Sequence, residues 1–487
     1  MQIHQLTKNR GLLLLLVLAL VAVACGGTGE GTTTVADGAL TTTTVATTDD
    51  TTATTMVEET TTTGAAEGDV TFDVGVTEDT ITLGLLADLS GPFAPLVTDI
   101  VDAQQVYWDI VNENGGIAGR QIETIVRDTA YNPDQHRTEY EAIRDQVAML
   151  SQSTGSPQTA AVIDLMLEDN MVAIPLTWYS GWGDPSFDQS TVLEQQTNYC
   201  LESMNVIEYA ATQFEADNGA PPTVAVISFP GEYGQDGAFG AKYAVEQLGL
   251  ELVYDAEGLV TPTPDDPETE IITGIVSAAP DIVFATVNPT NLGVIMGGAA
   301  LSGFQGIWTG NVPSYDFRML DNTGLAPILD ATYIQPGYVV AWGTDVPGMA
   351  DLREAMLAAR PDLRPSDAFV IGWIEAQLAE AVLLAAAESG DMTRAGIKAA
   401  ALTIEGFGFD GLAPDQSYAP ADDPNAYVTR SIAIFDPNVE AYTAAGGKDQ
   451  TIGTAENGGT TGSDLVEDSF IGELAAAYDF TGACFRP

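Results

Sequence analysis

The stretch from Thr80 to Asp128 constrains the fold of this 487-residue chain more than any other part of it. An apolar run over 81–87 ends in a Ser-Gly-Pro turn at 90–92, and a helical stretch follows that stops at the glycine pair 115–116. A second apolar run then covers 121–127. This order predicts a βαβ unit, whose two strands are parallel neighbours in an α/β sheet. Ligands of such sheets bind at the carboxyl ends of the strands, so the turn at 90–92 is a candidate for ligand contact.

Three short sequences in this unit carry a resemblance to a known family. They are LSGPFA at 89–94, NENGGIAGR at 112–120 and the Ile/Val-rich strand that ends in Arg127 and Asp128. Together they resemble the opening of the Leu/Ile/Val-binding-protein family, the substrate-binding proteins of ABC importers with the type I periplasmic-binding fold. The resemblance continues to about Asn438. It implies an α/β fold of two doubly wound, Rossmann-like lobes, joined by a three-strand hinge and closing on a small solute.

The alternation of apolar runs and helical stretches, taken with this resemblance, divides the chain into segments. The resemblance, and not the residues themselves, supplies the points at which the chain crosses between lobes. The expected segments are a signal peptide over 1–24, a Thr-rich disordered tether over 25–70, the first part of lobe 1 over 71–204, the first part of lobe 2 over 205–338, a return to lobe 1 over 339–408, and a return to lobe 2 with the C-terminal tail over 409–487.

The N-terminus has the features of an export signal. Lys8 and Arg10 precede an apolar run over 11–23, which is too short for a comfortable membrane span. The small residues before Cys25 resemble a bacterial lipobox, although Ala22 stands where leucine is commoner. This resemblance implies cleavage before Cys25, a lipid on that cysteine and an extracytoplasmic protein anchored to the outer face of the cell membrane. An ordinary signal peptide with a chance cysteine is the alternative. No later run is expected to be long and apolar enough to form a second membrane span.

The segment over 26–68 cannot form a packed core. Threonine fills 18 of its 43 positions, and it contains no Lys, Arg or aromatic residue. Such a composition predicts a disordered tether. The Thr runs suit O-linked sugars, and an unmodified spacer fits them equally well.

The charge of the chain is strongly one-sided. It has 69 acidic residues against 16 Lys and Arg, for a formal net charge of −53. Only seven of the acids lie in 26–68, so the folded part is itself acidic. This charge excludes nucleic acid and an anionic lipid surface as expected partners.

The chain has three cysteines. If Cys25 carries a lipid, Cys200 and Cys484 remain as a pair in an oxidising compartment, which predicts a disulfide between them. Two buried free thiols are the alternative.

The sequence contains few of the residue patterns that are typical of enzymes. Of its two histidines, His4 lies in the signal and His136 near a helix start. No nucleophile elbow, His-Glu-x-x-His or phosphate-loop pattern is present, and no His/Cys cluster suits a metal. We therefore expect a binding protein with no catalytic residues, cofactor or metal. Carboxylate pairs leave an extracellular hydrolase open as a weaker alternative, and a sensor for a separate receptor is another.

Candidate ligand contacts come from the turns that follow the expected strands. The set is Ser90, Phe93, Gly155, Ser156, Thr177, Trp178, Tyr179, Tyr233, Asn288 and Asn311. The resemblance implies that Ser156 and Thr177 hold a ligand carboxylate and that Tyr233 faces the ligand. Ordinary structural roles stay open for them as well: core packing for the tryptophan, helix capping for the serines and a turn for Asn311.

Two departures from the family pattern bear on the ligand. Family members that bind amino acids hold the ligand's ammonium with an acid, but the matching segment here, 310–313, contains no acid. The tyrosine that packs on the ligand in the family falls near Leu96 in this chain. Because a buried ammonium without a counter-charge is costly, a plain α-amino acid is disfavoured. Trp178, Tyr179 and Trp182 suggest an apolar, planar or amide-bearing ligand, such as an amide, a urea-like compound or a carboxylic acid. We expect a monomer that delivers this solute to an ABC permease.

Overall fold

The computed structural model describes residues 70–486, except 185–186, 189, 263–267, 419–424 and 426–427. The expected signal peptide, Cys25 and nearly all of the Thr-rich tether therefore lie outside the described residues. The described residues belong to one compact unit, Asp69–Pro487.

The strands of this unit are short and alternate with helices along most of the chain. They are β1 (Thr71–Phe72), β2 (Thr80–Ala87), β3 (Gln121–Asp128), β4 (Met149–Thr154), β5 (Ala173–Leu176), β6 (Thr223–Ser228), β7 (Glu251–Ala256), β8 (Ile282–Thr286), β9 (Ile307–Gly310), β10 (Tyr333–Gly337), β11 (Asp391–Met392), β12 (Ile432–Pro437) and β13 (Ser463–Phe470).

The helices lie between these strands. They are α1 (Ala94–Glu113), α2 (Pro133–Ile143), α3 (Ser156–Ala160), α4 (Ile163–Asp169), α5 (Tyr199–Asn218), α6 (Gly231–Gln247), α7 (Thr269–Ala278), α8 (Pro289–Leu301), α9 (Ala326–Thr332), α10 (Pro347–Ala359), α11 (Ala368–Ser389), α12 (Arg394–Ala401), α13 (Val439–Ala444) and α14 (Glu473–Ala477).

A four-stranded parallel sheet has the order β3-β2-β4-β5. Its β2 and β3 pair in continuous register from Thr80 with Gln121 to Ala87 with Asp128, and α1 connects them. This is the βαβ unit that the sequence predicts. Helices α1 and α11 pack on each other beside this sheet, and we call the sheet with these helices the small-sheet half.

A seven-stranded sheet has the order β13-β12-β10-β9-β8-β6-β7. Strands β6 to β10 run parallel, whereas β12 and β13 join antiparallel at one edge. Helices α5 and α6 pack on each other and on this sheet, and we call the assembly the large-sheet half. The chain passes between the two sheets after β5, after β10 and after α12. The α/β fold with two doubly wound halves is thus confirmed.

Helix α11 corrects one expectation. By length and apolar composition it could cross a membrane, although no later span was expected from the sequence. It lies mostly buried within the protein, where Phe369, Trp373 and Leu383 join the main hydrophobic core. A helix that is apolar on all sides is typical of such a central position.

A disulfide joins Cys200 at the start of α5 to Cys484 near the C-terminus, with an S–S distance of 2.05 Å. Hydrogen bonds hold the same segment on both sides of the junction between the halves. The Tyr179 hydroxyl donates to the Phe485 carbonyl at 2.7 Å, and the Cys484 N–H donates to Ser180 Oγ at 2.8 Å. The C-terminal segment is therefore fixed to the turn after β5 as well as to α5.

Replacing Cys484 with Ser should lower the free energy of unfolding by about 3 kcal/mol, because the lost cross-link no longer restricts the unfolded chain. Denaturant unfolding followed by circular dichroism measures this change. As a control, a reducing agent should destabilise the wild type and leave the Cys200→Ser/Cys484→Ser double variant unaffected. Equal unfolding midpoints for the wild type and Cys484→Ser would contradict the expectation.

Candidate ligand-binding site

An apolar cavity lies between the two sheets, and its empty space, counted out to its mouth, is about 950 Å³. The small-sheet half lines it with residues that follow β4 and β5, among them Gly155 and Trp178. The large-sheet half lines it with residues that follow β6, β9 and β10, among them Tyr233, Val312 and Tyr338. The carboxyl ends of the parallel strands in both sheets therefore face one cavity.

Aromatic rings from both halves meet at this cavity. The Phe93 ring lies 6.0 Å from that of Tyr233, and Tyr233 in turn lies 4.8 Å from Tyr199. Across the cavity the Trp178 and Tyr338 rings are 4.7 Å apart. These five side chains are buried, so the rings form a continuous apolar wall that spans the junction of the halves.

The cavity is elongated along helix α1. Phe93, Leu96, Val97 and Ile100 all line it, and this spacing places them on one face of the helix. At a rise of about 1.5 Å per residue, the row extends for about 10 Å. Ile371 of α11 contributes to the neighbouring wall.

Gly155 brings the main chain directly to the cavity surface. Its φ of +93° is a left-handed value that favours glycine. A β-carbon there would come within 2.1 Å of Gln158 Oε1 and 2.8 Å of the Tyr131 ring. Gln158 is itself fixed, because its amide donates to the Tyr131 carbonyl at 2.7 Å. No larger residue fits this position without moving that wall.

A cluster of hydroxyls lies beside Gly155. Ser156 Oγ and Thr177 Oγ1 share a hydrogen bond, and Tyr199 lies close to Ser156. All three side chains are buried. The cluster is the neutral polar end of an otherwise apolar site.

Two residues that line the cavity each carry a buried polar atom without a protein partner among the described residues. Trp178 Nε1 and the Tyr315 hydroxyl are buried in residues that line the cavity, and neither has a hydrogen-bond partner in the described part of the protein. A buried donor without a partner is costly, so both favour a ligand with acceptor oxygens.

The carboxylates that line the cavity already have partners. Asp316 accepts from the Arg318 N–H at 2.7 Å and from its guanidinium at 2.9 Å. Asp367 accepts from the Trp342 N–H at 2.6 Å and from the Thr461 hydroxyl at 2.9 Å, and burial raises the pKa of Asp367. No Lys, Arg or His stands among the described lining residues. The site thus offers no cation for an anion, and of its two acids Asp316 is already paired with a cation.

A third carboxyl group, that of Glu202, lies behind the aromatic wall. It accepts hydrogen bonds from the Tyr338 hydroxyl, from Asn311 Nδ2 at 2.6 Å and from the Val312 N–H at 2.7 Å. Burial raises the pKa of Glu202 to about 8, although these hydrogen bonds act to lower it. Glu202 therefore holds two lining residues, Tyr338 and Val312, against α5.

Four of the ligand contacts expected from the sequence line the cavity, namely Phe93, Gly155, Trp178 and Tyr233. Ser156 and Thr177 form the hydroxyl cluster beside it. The Tyr233 hydroxyl is used internally, since it donates to the Val287 carbonyl at 2.9 Å. Tyr233 therefore presents its ring to the cavity.

The other four expected contacts are not among the lining residues. Ser90 is exposed and lies close to Asp128, while the Tyr179 hydroxyl donates to the Phe485 carbonyl in the C-terminal segment. Asn288 caps helix α8. Asn311 binds Glu202 and accepts from the Thr286 hydroxyl at 2.8 Å, one layer behind the wall. For these residues a contact with the ligand remains a prediction.

Sequence reasoning missed several lining residues. These are Tyr131, Tyr199, Tyr315, Phe317, Tyr338, Asp316 and Asp367. A signal existed for Tyr131 and Tyr338, because they follow the ends of β3 and β10 in the same way that Trp178 follows β5. The others come from helix starts, 3₁₀ turns and crossing segments, where no strand-end rule applies.

The comparisons with known proteins agree with this geometry. A family model described as periplasmic binding protein matches residues 80–433, so the chain belongs to that family. A Leu/Ile/Val-binding protein, BraC3 of Rhizobium johnstonii, is 26% identical over 211 residues, which cover 42% of this chain. The aligned part spans about half (53%) of the length of that curated relative.

Solved structures resemble nearly the whole described unit. A fatty acid ABC transporter substrate-binding protein from Thermomonospora curvata is 27% identical with a TM-score of 0.72, covering 85% of this chain and 98% of its own. A branched-chain amino acid ABC transporter protein from Thermus thermophilus, with bound valine, is 18% identical with a TM-score of 0.65. It covers 82% of this chain and 98% of its own, and at that identity the likeness shows the fold alone.

Glu202 should make the stability of the protein depend on pH. Because its pKa is raised on folding, the stability that it contributes is present below about pH 4.5 and is lost as pH rises through about 8. The melting temperature of Glu202→Gln should therefore fall less across this range than that of the wild type.

Thermal unfolding at a series of pH values measures this difference, with Glu246→Gln, an exposed acid on α6, as the matched control. The control should follow the wild type. Parallel curves for Glu202→Gln and the wild type would remove Glu202 as a source of the pH dependence.

Proposed function

We propose that this chain is an extracytoplasmic solute-binding protein that captures a carboxylic acid with an elongated apolar chain and passes it to an ABC importer. The observation that carries this proposal is the composition of the cavity. Its wall is apolar where α1 contributes Leu96, Val97 and Ile100, and uncharged hydroxyl groups lie beside Gly155. Binding requires no chemical step, because closure of the two halves around the solute is sufficient.

The apolar part of the ligand is inferred from the walls. Burying an apolar chain along Leu96, Val97 and Ile100 contributes about 0.8 kcal/mol for each methylene removed from water. The about 10 Å length of this row favours a chain over a compact side chain. The similarity to a fatty acid ABC transporter substrate-binding protein supports the same class of ligand.

The polar end of the ligand is inferred from the donors. The indole N–H of Trp178 and the hydroxyls of Ser156 and Thr177 can donate to carboxylate oxygens. An amino acid would also bring an ammonium. Asp316 is already paired with the Arg318 guanidinium, and Asp367 already accepts from the Trp342 N–H and the Thr461 hydroxyl. A buried ammonium without its own partner is costly, so this arrangement favours an acid without an amino group.

Removing the indole donor should weaken binding of the acid. In Trp178→Phe a smaller aromatic ring replaces the indole and the N–H is lost, so we expect a loss of about 1.5 kcal/mol or more, at least roughly tenfold in Kd. Isothermal titration calorimetry with decanoic acid, decanamide and leucine measures this loss and the ligand class together.

The matched control is Trp182→Phe, a neighbouring buried indole that is not among the lining residues. It should bind decanoic acid as the wild type does. Tight binding of leucine with no binding of decanoic acid would refute the proposed ligand class.

We propose further that a lipid on Cys25 anchors the protein to the outer face of the membrane, through the Thr-rich tether. The order of basic, apolar and small residues before Cys25 supports this. Cys25→Ser should move the protein from the membrane fraction to the soluble fraction, as measured by fractionation and immunoblotting. Unchanged membrane retention would contradict the anchor.

A further inference from the structure

Phe317 lies where the apolar row of α1 ends. The last lining position of α1 is Ile100, because the next residues on that face, Ala103 and Gln104, are buried but are not among the described lining residues. Phe317 is 3% exposed and lines the cavity. Its neighbour Arg318 forms an ion pair with Asp99 of α1, which precedes Ile100. Phe317 therefore closes the end of the cavity away from Gly155.

Two guanidinium groups hold the Phe317 ring in place. Arg318 Cζ lies 4.7 Å and Arg364 Cζ lies 5.0 Å from the ring centroid. Cation–π contacts of this kind are attractive within about 6 Å. We call Arg318 and Arg364 the arginine pair.

Each member of the arginine pair is itself anchored. Arg318 bonds to Asp99 of α1 at 2.6 Å and to Asp316 at 2.9 Å, so it joins the large-sheet half to the small-sheet half. Arg364 bonds to Asp321 at 2.8 Å and 3.1 Å. A Phe317 ring that swung aside would therefore lose both cation–π contacts with these fixed guanidinium groups.

The region behind Phe317 is polar. The Tyr442 ring lies 6.4 Å from that of Phe317, and its hydroxyl bonds to both Arg364 and Asp321. An apolar ligand chain that extended past the ring would meet charged groups instead of aliphatic ones. The apolar path therefore ends at the Phe317 side chain.

We propose that Phe317 sets the length of the apolar chain that this protein accepts, and that the arginine pair positions it for that role. Phe317 is a specificity-determining residue, whereas Arg318 and Arg364 act through it. This inference rests on the proposed binding of an elongated acid, with its polar end at the hydroxyl cluster beside Gly155.

The test is the length preference of variants at this position. Binding of saturated straight-chain acids, growing by two carbons at a time, is measured by calorimetry for the wild type, Phe317→Ala and Phe317→Trp. The smaller residue should move the optimum to longer acids, with a gain of about fourfold in Kd for each extra methylene that the enlarged cavity buries. The larger residue should move it to shorter acids.

Leu96→Ala is the matched control, because Leu96 lines the cavity midway along the α1 row. It should weaken binding without moving the optimum. Melting temperatures identify any variant that does not fold, and Phe317→Leu replaces Phe317→Ala if that variant fails to fold.

The outcomes separate the two proposals. Opposite shifts of the optimum in the smaller and larger variants support the inference. Binding of acids with the wild-type optimum in every variant overturns the role of Phe317 and leaves the proposed function standing. A wild type that binds no acid of any length overturns the ligand class and this inference together.

Discussion

The site depends on one geometric constraint, that the carboxyl ends of two parallel sheets face the same space. Side chains that follow those strands can then meet across the junction, as Trp178 and Tyr338 do at 4.7 Å. Apolar surface of this kind is buried only while the halves are together, so ring contacts such as Phe93 with Tyr233 help to hold the closed arrangement. The same contacts leave between them a long apolar space instead of a filled core. A ligand that fits this space would displace water from those rings. Because it would contact both halves only in the closed state, it would bind that state more tightly and shift the protein towards it.

Although the chain is strongly acidic, the carboxyl groups described near the cavity each accept hydrogen bonds from neighbouring groups. Asp316 and Asp99 share Arg318, and Asp367 accepts from a main-chain N–H and a threonine hydroxyl. Glu202 has three donors around it. A buried charge is tolerated only with such partners, because desolvation costs several kcal/mol per ion. The walls can therefore contain acids and still suit an apolar ligand.

The sequence predicted the parts of the structure that follow from local pattern. The β2-α1-β3 unit was predictable because its apolar runs, its turns and its glycine pair all agree, and the strand-end rule located Phe93, Gly155, Trp178 and Tyr233 at the cavity. Resemblance to a family supplied the crossings between halves. Strand β13 was not predicted, since its residues are acidic and mostly exposed and show no apolar alternation. The role of Phe317 depends on Arg318 and Arg364, which are 46 positions apart, and a single sequence carries no sign of that contact.

The small-sheet half cannot be completed until late in synthesis of the chain. The half is completed by residues made long after its sheet: β1 pairs with β11, joining Thr71 to Asp391, and Arg394 donates to the Val147 carbonyl at 2.7 Å. Until those residues emerge from the export machinery, the strands made first lack their covering helix α11. Unprotected parallel strands fold slowly and are prone to association. The part of the small-sheet half that is synthesised first therefore reaches its native structure only after the last of these residues has been made.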